Sequence, residues 1–478
     1  MIIKKIQKIL TFIPLTLVMA FSISVYAQTG DAQNQINQKI NENQISDEDF
    51  AKIKENKTPL NDTSLKKKKE GGYVTGLPLF NSDPTTGIGY GVRAYYYYNG
   101  NKEDKLFGYT PYYHRVYAQF FQTTNGYQYQ TLDWDAPYFM NTLFRVRSYV
   151  LYEKDINANY FGLGNESMKN LQSPTGVTYS SFKNYQTDLD KIDNTGNTNS
   201  RYNKFSFENP NWVITGERDV AYFLNGVIRP SLGFVMGKMN ISDYSGNKVK
   251  VSGNEYLQNN TRLFQDNEAG NIIGFHGGWD NRTIIGVAFD SRDFEPDPNN
   301  GLLTEMVAEV SNKGIGSTYD YQRYTFSQKV YFSPFPKIAD LVLAARGVFS
   351  FHTGSTPFYA LSNISFTEGV KNGLGGLRTM RGFKSRRFVG NTMTLVNFEM
   401  RWTMFDVDVL GQNFAFLLVP FIDSGRVFNA PKEANFNNWK FDYGAGLRIA
   451  WNQATVIIFD YGMSSEDSGF FINFNHIF

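Results

Sequence analysis

Residues 469–478 read G-F-F-I-N-F-N-H-I-F, and the chain stops on that aromatic. Strict alternation puts Phe470, Ile472, Phe474, His476 and Phe478 on one face of a strand, with Phe471, Asn473, Asn475 and Ile477 on the other. A chain that ends inside an aromatic strand, with nothing after it, suits a strand that closes a barrel in lipid better than a soluble sheet. The stretch therefore predicts an all-β fold: a transmembrane antiparallel β-barrel preceded by a short polar periplasmic segment.

The same period of two runs upstream. Trp439, Phe441, Tyr443, Ala445, Leu447, Ile449 and Trp451 oppose Lys440, Asp442, Gly444, Gly446 and Arg448. Thr394, Val396, Phe398, Met400, Trp402 and Met404 oppose Asn397, Glu399, Arg401 and Thr403. Such alternation marks strands with two unlike faces. Sixteen segments carry it: 72–80, 87–98, 107–122, 127–137, 142–154, 201–214, 219–239, 282–291, 301–311, 320–335, 340–353, 392–405, 413–428, 438–451, 454–464 and 469–478. An even number suits a single-chain bacterial barrel. With both ends in the periplasm, the odd-numbered connections lie outside, among them the three long ones 155–200, 240–281 and 354–391, and the even-numbered connections inside are short. A further hairpin within 240–281 would raise the count to eighteen. The polar faces then line a wet lumen and carry Arg93, Arg145, Arg147, Arg323, Lys329, Arg346, Arg401 and Arg448 against Asp290, Glu399, Asp423 and Asp442.

Composition agrees. Aromatics make up 16%, with 30 Tyr and 41 Phe, and no segment after the N-terminus offers the 18 or so apolar residues of a spanning helix. Residues 1–27 read as a signal peptide: Lys4, Lys5 and Lys8, an apolar stretch to Ser24, then Val25-Tyr26-Ala27. The 47 basic residues less these three lysines leave 44 against 45 acidic ones, so bulk charge makes no case for nucleic acid. There is no cysteine, which excludes a lipid-anchored N-terminus and any disulfide. Residues 28–70 are polar and read as a weakly ordered periplasmic linker, in which Ser46 could cap one short helix before Phe50. Lys66 to Lys69 reads as a solvated run. The barrel takes residues 71–478.

Three motifs stand in order on this frame. The third long connection ends in Gly375-Gly376-Leu377-Arg378-Thr379-Met380-Arg381-Gly382-Phe383. The next hairpin carries Phe421-Ile422-Asp423-Ser424-Gly425. Upstream stands Asp290-Ser291-Arg292-Asp293, then Gly301. Together with the aromatic C-terminus, they resemble the BamA/TamA family of the bacterial surface antigen superfamily, over roughly residues 280–478. The resemblance implies that the 354–391 loop folds into the lumen. There Arg381, Gly382 and Phe383 would dock on Phe421, Asp423 and Gly425, with Arg381 pairing Asp423. Asp290, Arg292, Asp293 and Gly301 would form a charged turn at a strand end. The chain departs from that family in its N-terminus, where some 45 polar residues stand in place of the POTRA modules that receive substrates.

The resemblance implies a protein of the Gram-negative outer membrane that inserts or translocates proteins, or lipids, through a seam between first and last strands. Its partners would be outer-membrane lipid and periplasmic chaperones, lipoproteins or nascent outer-membrane proteins. Pro78, which lacks an N–H, and Gly71, Gly72 and Gly76 weaken the first strand, while Phe470, Ile472, Phe474 and Phe478 form the other lip and the C-terminal signal. A passive or gated channel and a scaffold barrel of a larger envelope complex remain as alternatives. An enzyme is not expected. The four histidines, His114, His276, His352 and His476, show no metal spacing, no Gly-x-Ser-x-Gly elbow occurs, and neither cofactor nor metal is called for. His476 falls on the lipid-facing parity of the last strand.

Overall fold

Lipid offers no partner to a strand's N–H and C=O groups, so an alternating chain in a bilayer pairs its strands with one another. A computed structural model describes residues 45–57, 59–60, 65–66, 68–83, 87–295, 297–367, 369–452 and 455–478; the signal peptide and residues 28–44 lie outside them. Among the described residues an 18-stranded antiparallel sheet forms. Two of its strands, Ala221–Phe223 and Gly277–Trp279, are short ribbons beside longer neighbours. The other sixteen are β1 (Gly72–Asp83), β2 (Gly87–Tyr98), β3 (His114–Thr123), β4 (Gln128–Ala136), β5 (Phe144–Asn159), β6 (Lys204–Arg218), β7 (Gly226–Asp243), β8 (Arg282–Asp290), β9 (Gly301–Ser311), β10 (Tyr321–Phe332), β11 (Leu341–Gly354), β12 (Thr392–Val409), β13 (Gln412–Phe428), β14 (Lys440–Trp451), β15 (Thr455–Ser464) and β16 (Ser468–Phe474). Each pairs with the next in the chain. The protein is a sixteen-stranded transmembrane antiparallel β-barrel.

The faces sort by period. On β10, Tyr324, Phe326, Val330 and Phe332 are exposed to the outside, whereas Arg323, Thr325, Ser327 and Lys329 are buried. On β14, Phe441, Tyr443 and Leu447 face out, and Asp442 and Arg448 are buried. The hairpin in the second long connection exists, as Lys248–Val251 with Asn254–Gln258, but it joins Asn197–Thr198 in a separate three-stranded sheet and adds nothing to the barrel.

The barrel is lapped at its seam. Among the described residues no backbone ladder joins β1 to β16. Side chains hold them instead. Thr75 of β1 and Tyr97 of β2 point inward, and both hydroxyls reach Thr455 Oγ1 on the outward parity of β15, at 3.0 and 3.1 Å. Arg93 Nη1 donates to Asn473 Oδ1 at 2.8 Å, and the Tyr95 ring lies 5.7 Å from that of Phe474. Tyr73, Leu77 and Leu79 pack on the same buried cluster as Ile449, Ile457 and Phe459. The inner skin of the first strands therefore covers the outer skin of the last.

The C-terminus departs from the single strand 469–478 that alternation predicts. The ladder stops at Phe474, and Asn475 takes a left-handed φ of 62°, which turns the chain inward. His476, Ile477 and Phe478 then sit inside rather than alternating between lipid and lumen, and Phe474 is buried beneath the inner face of β2. Ile477 covers an apolar patch of Leu417, Val419, Ala450, Val456 and Ile458. Arginines supply the donors that the tail carbonyls need: Arg378 to Phe474 O (3.1 Å) and His476 O (3.0 Å), Arg346 to Ile477 O (3.2 Å), and Arg401 to Phe478 O (2.9 Å). Burial of these carbonyls against guanidinium donors costs less than leaving them in lipid.

The N-terminal region is more ordered than its composition suggests. A helix, α1 (Asp47–Asn56), begins with Asp49 N–H donating to Ser46 Oγ at 3.0 Å. By contact density the described chain divides into residues up to Asp49 with Met140–Thr142, and all the rest. In the larger unit Ile53 is fully buried, and the Phe50 ring meets Tyr109 edge-on at 5.8 Å. Lys68 leaves the solvated run predicted for it: its ammonium is buried, donating to the Phe107 and Thr110 carbonyls at 2.5 and 2.6 Å. Those carbonyls belong to residues 99–113, which form a folded turn here. This is why β3 starts at His114 and not at 107.

Candidate functional site

The loop between β11 and β12, residues 355–391, carries a guanidinium into a buried cluster of charges in the lumen. Arg381 is 0% exposed. Its Nε and Nη2 donate to the two oxygens of Asp423 (β13), each at 2.8 Å. Its Nη1 donates to Glu399 (β12) and Asp460 (β15), again at 2.8 Å each. Four of its five N–H donors are thus spent on carboxylates from three strands, and its Cζ lies 3.3 Å from the centre of the Phe421 ring. The fork-to-carboxylate match with Asp423 needs a planar guanidinium.

Neighbouring charges complete the cluster. Arg448 (β14) donates to both oxygens of Glu399, at 3.0 and 2.6 Å, and Arg401 (β12) adds a bond at 3.0 Å. Asn397 donates to Asp423 at 2.7 Å and accepts from Arg346. Buried ions lose their hydration, and only such mutual saturation offsets that loss.

Glycines make the approach possible. A Cβ on Gly382 would stand 2.6 Å from Asp442 Cβ and from the Met463 carbonyl carbon. Across the contact, a Cβ on Gly462 would stand 2.7 Å from the Arg381 carbonyl carbon. The Gly382 carbonyl accepts from Ser464 Oγ at 2.7 Å. Phe383 meets Phe388 edge-on at 5.0 Å in a core with Leu374, Met380, Met393, Leu395 and Val427. Gly425 lies under this core, where a Cβ would be 3.1 Å from Met380 Sδ.

The other residues singled out in the sequence sit elsewhere. Asp290, buried at the end of β8, accepts from Arg292 at 2.9 and 3.0 Å and from Arg229 at 3.0 Å. Asp293 caps its own turn, accepting from the N–H groups of Asn299 (2.9 Å) and Asn300 (3.2 Å). Gly301 has φ of 106°, and a Cβ there would strike the Ser291 carbonyl oxygen at 2.2 Å. Glu295 joins this end by bonding Arg145 at 2.7 Å, while Lys57, just past α1, donates to Tyr138 OH at 2.7 Å. Pro78 faces Val92 in the first hairpin, and Phe470 and Ile472 point outward from β16.

His476 is not at the lipid interface. Its Nε2–H lies 2.8 Å from Asp297 Oδ1, and its Nδ1 accepts from Arg448. Burial pushes its pKa down to about 4, helped by nearby Arg401 and opposed by Asp297. The ring is therefore neutral at neutral pH, and its place between an arginine and a carboxylate fits one neutral tautomer. Among the described residues, no group of three His, Cys, Asp or Glu is placed to hold a metal ion.

No motif marks Asp460 or Asn397 as site residues, and the alternation shows Glu399, Arg401 and Arg448 only as inward charges. Asp460 leaves one signal, a lone acid on the inner parity of β15 directly after the apolar run Val456 to Phe459.

The Omp85 superfamily domain matches residues 159–475, and a Domain of unknown function (DUF5982) matches residues 44–113. No curated protein matches the chain. Similar solved structures include BamA from Haemophilus ducreyi lacking POTRA domains 1-3, at 14% identity and TM-score 0.44, covering 85% of this chain and 69% of that one. CdiB from Escherichia coli has 10% identity and TM-score 0.47, covering 82% of this chain and 58% of that one. CdiB from Acinetobacter baumannii has 9% identity and TM-score 0.42, covering 85% and 60%. This chain thus spans less than two thirds of the length of either CdiB structure.

Proposed function

The chain belongs to the Omp85 superfamily, and from that premise we propose that it inserts or translocates proteins, or lipids, at the outer membrane of a Gram-negative bacterium through the seam between β1 and β16. The lapped seam carries this reading. Parting two laddered strands in lipid would strip several N–H and C=O groups at once, each costing several kcal/mol. Here the lips are held by side-chain contacts such as Thr75 with Thr455 and Arg93 with Asn473. An incoming strand meets backbone edges that no ladder between β1 and β16 occupies, the setting in which strand addition operates. Arg381 and the tail 475–478 support it by bracing β12 to β16 as a rigid wall beside the lip. Periplasmic chaperones, lipoproteins or nascent outer-membrane proteins would deliver cargo to the end where α1, the 99–113 turn and the Asp290–Gly301 turn lie.

The test uses the absence of native cysteine. A Thr75→Cys, Thr455→Cys pair, whose parent hydroxyls are 3.0 Å apart, should lock the seam when oxidised. Insertion of a reporter barrel into proteoliposomes should then fall to background and return on reduction. Full activity with the disulfide formed ends the proposal.

A gated channel is the second reading, favoured by the open gap left in the lumen beside the 355–391 loop. It shares the barrel and the Arg381 contacts but makes the bore, not the seam, the route.

A further inference from the structure

We propose that the lumen gap between the wall of β5 to β8 and the 355–391 loop is a binding site for a neutral saccharide. The gap has a cavity volume of about 110 Å³, room for several waters or for one small polar ring. It lies near the strand ends that carry the long outer connections, so a ligand would arrive from that side.

Its lining is amide and ring. Asn209, Asn211, Asn363 and Asn372 present carboxamides, and Tyr149 and Tyr359 present aromatic bodies. Asn211 Oδ1 and the Tyr359 hydroxyl are buried and have no hydrogen-bond partner among the described residues. A buried polar atom without a partner is a standing cost, relieved by a ligand that brings donors.

The charges around the gap are already engaged. Arg282 bonds Asp280 and stands 3.5 Å from Glu309. Asp280 also accepts from Tyr321 at 2.7 Å. Arg386 lies 3.8 Å from Asp155 with its guanidinium over the Phe207 ring at 4.8 Å. Glu153 accepts from Tyr127 at 3.3 Å. Two arginines and two acids line the space, so it offers no net charge to an ionic ligand. Carboxamides and a phenol that give and accept hydrogen bonds, beside ring surfaces that take the apolar C–H face of a pyranose, match an uncharged polyhydroxyl ring.

Calorimetry on the full chain in nanodiscs tests this with glucose, maltose and maltotriose, and with glucose 6-phosphate and gluconate as charged counterparts. Saturable binding of at least one neutral sugar at roughly millimolar concentration is expected, with the charged pair weaker. Asn211→Ala and Tyr359→Phe, which keep the fold's packing, should each weaken it about tenfold, a loss of the size of one good hydrogen bond. No saturable neutral sugar, equal affinity in both variants, or a preference for the charged probes overturns the assignment and leaves the gap to water.

Discussion

Arg381 shows how much one side chain can hold. It ties β12, β13 and β15 to a loop, and its removal leaves Asp423, Glu399 and Asp460 buried with a shared donor gone. Breaking a buried ion cluster by deleting one partner costs about 3–5 kcal/mol. Arg381→Ala should therefore lower the unfolding midpoint of the detergent-solubilised barrel sharply. Arg381→Lys should recover only a small part, since an ammonium lacks the two-pronged match; full rescue by lysine would contradict the forked geometry. His476 adds a pH term. Its folded pKa of about 4 lies below the roughly 6.5 of an unfolded histidine. A base whose pKa is depressed by folding gives its full stabilisation above pH ~6.5 and loses it as pH falls toward 4. Stability measured across that window should decline, and His476→Gln should flatten the decline. A pH profile unchanged by the substitution would refute the buried, neutral ring.

At the scale of elements, the C-terminal tail and the 355–391 loop act together. Arg378, three residues before Arg381, bonds the tail carbonyls, while Arg346 bonds both the tail and the Arg378 carbonyl. The Phe478 ring lies 4.9 Å from the Arg346 guanidinium and 5.3 Å from that of Arg401. Deletion of residues 475–478 would uncover Val456, Ile458 and Val419 and strip acceptors from four arginines, Arg346, Arg378, Arg401 and Arg448. The truncated barrel should still form its ladders, because β16 ends at Phe474, yet its loop should become open to protease near residues 378–386. Protection equal to wild type would separate the two elements. Much of this level was legible beforehand: the strands follow from alternation, and the order of loops from their lengths. The tail was not, because period two says which face a side chain takes only while the strand continues, and Asn475 ends it.

For the whole molecule, the decisive relation is between a densely filled side of the lumen and a side that keeps a small gap. Arg381 and the tail occupy the side of β11 to β16, and the gap of about 110 Å³ lies against β5 to β8. Planar-bilayer recordings should show small, flickering currents from the native barrel and larger, steadier ones from Arg381→Ala once the loop is no longer pinned. Large steady currents that the substitution leaves unchanged would favour an open channel over a loop-filled barrel. The sequence by itself determined the period, the count of sixteen strands and the inward parity of Asp423, because alternation is a property of neighbouring residues along one strand. The tertiary structure alone decided that Glu399, Asp423 and Asp460 converge on one guanidinium, that the first strands lap over the last, and that the tail turns in. Those depend on stagger and curl summed over the whole sheet, a quantity to which every strand contributes and which no single stretch of chain contains.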